Sequence, residues 1–196
     1  MFLPCVFVLA LQASQVCPSV VVYPEIQPHL QKYQDFGWGF PAIGEWILVQ
    51  RNYYEDLLFG AEVRGIKYQR YGRNTAHNTP IVITYQDGTK VSAHLTIGSS
   101  EGYQARNLIR IDFCQSNYSI EAHLIFWEPF NCLIIRHPYV DNGLGCSYWR
   151  HVAALKKPDD CCQFIYAENC GTSPRYQIYD DLSCSPGRTC RPPRIN

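Results

Sequence analysis

Neither sign of charge is in surplus in this sequence: 17 Lys and Arg balance 17 Asp and Glu across 196 residues. That balance argues against a nucleic-acid surface or an anionic-membrane binder, both of which need an excess of positive charge. Past the N-terminus no apolar run approaches the ~20 residues of a membrane span. The catalytic patterns HExxH, GxSxG and GxxxxGK[ST] are missing, as is a paired CxxC zinc pattern. The six histidines are scattered; His137 and His151 could meet in space, but no spacing demands a metal. Internal repeats and low-complexity linkers are also lacking. These absences point away from an enzyme, a cofactor protein and a membrane protein. Hydrophobic residues make up 46% of the chain, enough to bury a core in one domain.

Cysteine, by contrast, is abundant: ten in a chain of this size point to an oxidising compartment. The N-terminus agrees. "MFLPCVFVLALQASQ" carries an apolar run from Phe2 to Leu11 followed by small and polar residues, and reads as a signal peptide over 1–15, cleaved between Ala13 and Val16. A domain over 17–184 and a Pro- and Arg-rich tail over 185–196 then make up a secreted protein. Asn117, in "NYS", is its N-glycosylation acceptor. Cys161 and Cys162 are neighbours in "KKPDDCC". Neighbours rarely bond to each other, because a disulfide needs a Cα separation near ~5.5 Å and a particular torsion, so the two are expected to reach two distant partners.

Along the chain, "PEIQPHLQKYQDF" places Ile26, Leu30, Tyr33 and Phe36 on an approximate helical stripe with Pro28 in a first turn, which predicts a short helix. Eight short segments rich in β-branched and aromatic residues follow, beginning with "EWILVQRNYY" and "AEVRGIKYQRYG" and ending with "CLIIRH" and "CSYWRHV". The clearest pair, "IVITYQDGTKVSAHLTIG", flanks Asp87-Gly88, a dipeptide that favours a tight turn with positive φ. In "NLIRIDFC" the residues Ile109, Ile111 and Phe113 alternate with Leu108, Arg110 and Asp112. In "YSIEAHLIFW" the residues Ile120, Ala122, Leu124 and Phe126 alternate with Ser119, Glu121, His123, Ile125 and Trp127. Evenly spaced strands with hairpin-length connections predict an all-β, eight-stranded antiparallel up-and-down barrel, whose closure removes exposed edges. "PDDCCQFIYAENCG" then reads as a C-terminal helix, with Pro158 at its start, Asp159 and Asp160 at its positive end and Gly171 as C-cap. The adjacent cysteines would pin that helix to the barrel in two directions.

"CLIIRHPYVDNGLGCSYW", then "KKPDDCC", then a helix and a terminal cysteine, together with the aromatic first strand "WILVQRNYY", resemble the tick salivary lipocalins, the group named for histamine-binding proteins. The resemblance runs from about Tyr33 to Cys184. It implies an eight-stranded lipocalin barrel with a C-terminal helix, secreted at the feeding site, that sequesters a host mediator to suppress host defence. The ligands it implies are biogenic amines such as histamine and serotonin, or eicosanoids such as leukotrienes and thromboxane; some members bind complement proteins. It implies disulfides Cys17–Cys161 and Cys132–Cys162. Cys114, Cys146, Cys170, Cys184 and Cys190 then remain, an odd number. The partners expected are a small-molecule mediator for a monomeric barrel, with no cofactor, or a host protein held by loops such as "FGWGFPAIGE" (Phe36 to Glu45) or by the tail.

The chain departs from that family at two positions. The amine-binding pattern places one acid directly after the strand cysteine, where this chain has Leu133, and another two positions before the tryptophan, where it has Ser147. A buried cation needs a counter-charge. Glu121 is the substitute available, on a strand face with His123 and Trp127; with Tyr148 and Trp149, these form the expected ligand-binding set. Two readings of Glu121 and His123 stand open: inward, they supply a charge for an amine; outward, the apolar face fills the barrel. In the second case an eicosanoid fits better, and Arg136 and His137 are candidates for its carboxylate. Trp149 is a cavity wall or ordinary core, and Arg110 and Asp112 form an internal pair or a solvated one.

Overall fold

The structure is a computed structural model of the chain and describes residues 23–37, 44–56, 64–72, 78–172 and 174–179. The proposed signal segment, Cys17, Cys184, Cys190 and the basic tail lie outside the described residues.

Eight antiparallel strands close into a barrel: β1 Glu45–Arg51, β2 Lys67–Arg70, β3 Asn78–Thr84, β4 Lys90–Gly98, β5 Leu108–Phe113, β6 Ser119–Glu128, β7 Cys132–His137 and β8 Gly145–His151. Each pairs with its sequence neighbour, and β8 returns to β1, which also pairs β2. A two-residue strand, β9 Tyr176–Gln177, adds to β1 opposite Gln50 and Arg51. The β3–β4 hairpin turns through Gly88 at φ 86°, a conformation glycine reaches without a Cβ penalty. The Asp87 carboxylate accepts from the Thr89 backbone N–H at 2.8 Å and holds that turn closed.

The expected N-terminal helix is two 3₁₀ turns, Pro24–Ile26 and Pro28–Tyr33. Its apolar stripe does not face the core: Ile26 and Tyr33 are about half exposed. A proline opens each turn, and three-residue turns bring i and i+3 onto one line, so the α-helical spacing does not apply. Glu25, Gln34 and Phe36 are the residues buried in this segment. Phe36 enters one end of the barrel, its ring 6.0 Å from that of Trp127, and its backbone N–H bonds to the Arg106 carbonyl.

Helix α1, Asp160–Cys170, lies outside the barrel against β7 and β8. Gly171 caps it at φ 81°. Asp159, the N-cap residue, makes no side-chain cap bond; its carboxylate instead pairs with Arg150 at 2.6 Å and accepts from the Tyr148 hydroxyl at 2.6 Å. Burial alone would push that carboxyl up, but the hydrogen bonds from Tyr148 and Gln163 and the Arg150 charge outweigh it and hold the carboxyl below its ordinary value. The helix is stapled twice, by Cys132–Cys162 from β7 and Cys146–Cys170 from β8. Each bridge contributes about 3 kcal/mol in the chain-entropy picture. The second staple joins two of the cysteines the sequence left unassigned. Cys161, and Cys114 in the β5–β6 turn, are exposed and have no disulfide partner among the described residues. The expected partner of Cys161, Cys17, is outside the described residues.

Candidate functional site

Successive residues on a strand face opposite sides of the sheet, and β7 and β8 show how this sorts the site. Outward, Cys132, Ile134, Cys146 and Tyr148 join Cys162, Tyr166 and Cys170 in an apolar layer beneath α1. Also outward, Arg136 forms a buried ion pair with Glu25 at 2.7 Å and donates to the Leu144 and Asn169 carbonyls. Inward, Leu133, Ile135 and Trp149 join the barrel core. Tyr148 therefore holds the helix, while its neighbour Trp149 lines the cavity. Arg136 is committed to Glu25 and the helix end, which leaves His137 as the inward member of that candidate pair.

Strand β6 holds a deviation from simple alternation. Its register against β7 shifts between Leu124 and Phe126, a bulge that places one extra residue on β6. Up to Leu124 the expected faces hold, with Ile120, Ala122 and Leu124 in the core. Beyond it the faces exchange: Ile125 and Phe126 both pack in the outer layer, and Trp127 turns in against Phe36 and the core. Trp127 is thus on the inner side, and Glu121 is not. Glu121 is exposed on the outer wall with Arg110, which bonds to Asp112. His123 is on the same outer wall, its Nδ1 3.2 Å from Ser100 Oγ; burial lowers its pKa, against the opposing pull of Glu25 and Glu121. Of the five expected ligand residues, the barrel interior gathers Trp127 and Trp149. Asn117 is exposed in the β5–β6 turn. Of the Phe36 to Glu45 loop, residues 38–43 are outside the described set.

The cavity has a volume of about 40 Å³ and is walled by aliphatic residues of β3 to β7, including Ile81, Ile83, Leu95 and Ile109, with Tyr68, His137 and Trp149. Tyr68 ties the aromatic side together, stacked with Trp46 and edge-on to Trp149. Leu133 and Ser147, where the amine-binding pattern has acids, both face this interior. Ser147 Oγ lies 2.6 Å from His137 Nε2 and accepts from Trp149 Nε1 at 2.8 Å. A volume of this size falls well below the ~300–1,000 Å³ of a drug-sized ligand pocket.

The end opposite Phe36 is polar. A second register shift, in β1 between Leu48 and Gln50, turns Arg51 inward, paired in register with Ser147. Arg51 is fully buried; it donates to the Tyr54 carbonyl and lies over the Tyr53 ring. Asp56 is buried at the same end. Burial foremost, and Asp56 next, raise the phenols of Tyr53 and Tyr139 well above their ordinary value. Burial lowers His137 to about 4, with Asp56 pulling the other way and Arg136 and Arg51 reinforcing the shift. His137 is therefore neutral at neutral pH, and Arg51 and Asp56 bring opposite charges to the same end. Sequence reading named His137 but missed Arg51 and Asp56, because Arg51 turns in only through a bulge and Asp56 lies in a loop with no periodicity to place it.

A family model described as tick histamine binding protein matches residues 25–186. The chain belongs to the tick histamine-binding protein family. Among solved structures, this tick lipocalin is similar to Japanin from Rhipicephalus appendiculatus bound to cholesterol, at 11% identity and TM-score 0.50, over 71% of this chain and 94% of that one. It is also similar to apocrustacyanin C1, at 10% identity and TM-score 0.42 over 71% and 72% of the two chains. Lobster apocrustacyanin A1 aligns at 9% identity and TM-score 0.42 over 72% and 73%. No curated protein matches in sequence. The likeness to Japanin concerns the fold. Family and fold are those of a small-molecule binding protein, and among the described residues no helix is long and apolar enough to cross a membrane.

Proposed function

We propose that this lipocalin is secreted and sequesters an apolar host mediator of the eicosanoid or sterol kind in its barrel, suppressing host defence without catalysis. The observation that carries this reading is the inner wall: aliphatic and aromatic residues surround the cavity, and Leu133 and Ser147 occupy the positions of the family's amine-binding acids. Burying apolar ligand surface there is favourable at roughly 25 cal/mol per Å², whereas an unpaired ammonium group costs several kcal/mol. Japanin, of the same fold, holds cholesterol, which accords with an apolar occupant.

The amine reading implied by the family retains one support, the buried Asp56 carboxylate. Arg51 at the same end offsets that charge, so the site offers an ammonium little net attraction. The test is native mass spectrometry of the purified protein incubated with an equimolar mixture of arachidonate, cholesterol, histamine and serotonin. A one-to-one complex with arachidonate or cholesterol is expected; a complex with an amine alone overturns the apolar reading.

A further inference from the structure

The polar end of the cavity contains a hydrogen-bond relay that the apolar wall does not explain. An indole N–H only donates, so Ser147 Oγ accepts from Trp149 Nε1 at 2.8 Å. Ser147 has one proton of its own, and His137 Nε2 lies 2.6 Å away. If that proton goes to Nε2, the ring proton of neutral His137 sits on Nδ1, and Nδ1–H alone lacks a partner. If instead Nε2–H donates to Ser147, both the serine proton and the Nδ1 lone pair are stranded. Buried polar atoms are seldom left unpaired, so the arrangement with one orphan is favoured over that with two.

Nδ1 of His137 is buried and has no hydrogen-bond partner among the described residues; the Tyr139 hydroxyl is buried and unpartnered in the same way. The two rings lie 5.6 Å apart, and His137 lines the cavity. Two polar groups without partners among the described residues thus lie side by side at the polar end, one of them, His137, on the cavity wall. The charged groups acting on His137 are Asp56, Arg136 and Arg51; Arg136 is already paired with Glu25.

We propose that His137 Nδ1–H, assisted by the Tyr139 hydroxyl, is a specificity determinant that binds an acceptor oxygen (hydroxyl, carbonyl or carboxylate) at the head of an apolar, non-cationic ligand. Ser147 is the positioning residue that fixes the donor tautomer. This rests on the reading that the barrel carries a small molecule. An alkylammonium head brings only donors and cannot pair with Nδ1–H, and the Asp56 carboxylate at this end is offset by Arg51, whereas an oxygen head is matched.

Isothermal titration with two probes of equal chain length, dodecanol and dodecylammonium, tests the assignment in wild type and His137→Phe. Wild type is expected to bind dodecanol at least tenfold more tightly than dodecylammonium. His137→Phe is expected to lose about tenfold for dodecanol, the scale of one ~1.4 kcal/mol interaction, and to change little for dodecylammonium. Unchanged dodecanol affinity in the variant overturns the assignment and leaves the carrier reading standing; failure of wild type to bind either chain overturns both. Nitrogen-15 NMR of histidine-labelled wild type needs no variant: the proton is expected on Nδ1 from pH 5 to 8, shared between the two nitrogens in Ser147→Ala. A proton on Nε2 in wild type refutes the relay.

Discussion

Acid should destabilise this barrel through His137 in a way that can be isolated. The residue is fully enclosed and its pKa is lowered from 6.5 to about 4, chiefly by burial. Below pH 6.5 the unfolded chain takes up a proton on this ring that the folded chain refuses until about pH 4. Stability therefore rises with pH across that window and is lost as pH falls through it, because the unfolded state binds more protons. At ~1.4 kcal/mol per pH unit, the interval from 6.5 to about 4 amounts to about 3 kcal/mol. Phenylalanine at 137 removes the titration while keeping a ring in place. Urea unfolding of wild type and His137→Phe, disulfides intact, at pH 7, 5.5 and 4 gives the contrast directly. His123 and His151, also lowered by burial, are common to both proteins and cancel. Wild type should lose about 3 kcal/mol more than the variant between pH 7 and 4. Parallel stability curves would falsify the claim that a buried neutral histidine lines the polar end.

Three further outcomes follow from the same geometry. Glu25→Ala leaves the Arg136 guanidinium buried without its 2.7 Å partner, and should cost about 3 kcal/mol in a thermal melt; an unchanged midpoint would mean that the pair contributes nothing. The Cys17–Cys161 bond that the family resemblance implies is proposed here; Cys161 is exposed and without a disulfide partner among the described residues, while its neighbour Cys162 takes Cys132. Non-reducing peptide mapping should recover a Cys17–Cys161 peptide, and alkylation of both thiols would refute it. Glu121→Gln should leave affinity for every ligand within about twofold, since its carboxylate lies on the outer wall beside Arg110; a tenfold loss of amine binding, ~1.4 kcal/mol, would place it at the site.

The barrel was legible because its signals are local. Alternation marked β4, β5 and β6, runs of β-branched and aromatic residues marked the other strands, Asp87-Gly88 marked a turn, and Gly171 marked the end of the helix. The site was less legible, for identifiable reasons. Tyr148 and Trp149 are adjacent in one strand, so both could not face the ligand, and the period of two already separates them. Trp127 faces the interior only because the β6 bulge exchanges faces after Leu124; the break in alternation along the apolar run from Leu124 to Trp127, with Ile125 and Phe126 both outward, was the hint. Those two needed an outer apolar layer, which α1 provides, and a helix packed outside a barrel leaves no mark in strand alternation. The same helix explains why every residue of β7 and β8 is buried. Cys146–Cys170 depends on how α1 lies across the barrel wall, which the sequence does not state. Arg51 and Asp56 are charged residues turned inward by a bulge and a loop, against the direction their chemistry suggests.

The most direct test of the account is a paired titration of the purified protein with a leukotriene and with histamine, followed through the fluorescence of Trp149 with Trp149→Phe as the control. Leukotriene should quench the wild-type signal to saturation at one equivalent, and most of that change should vanish in the control. Histamine should bind at least tenfold more weakly, a difference of ~1.4 kcal/mol or more, because Leu133 and Ser147 stand where the amine's counter-charges would be. Tight histamine binding with no response to leukotriene would contradict the apolar reading of the barrel.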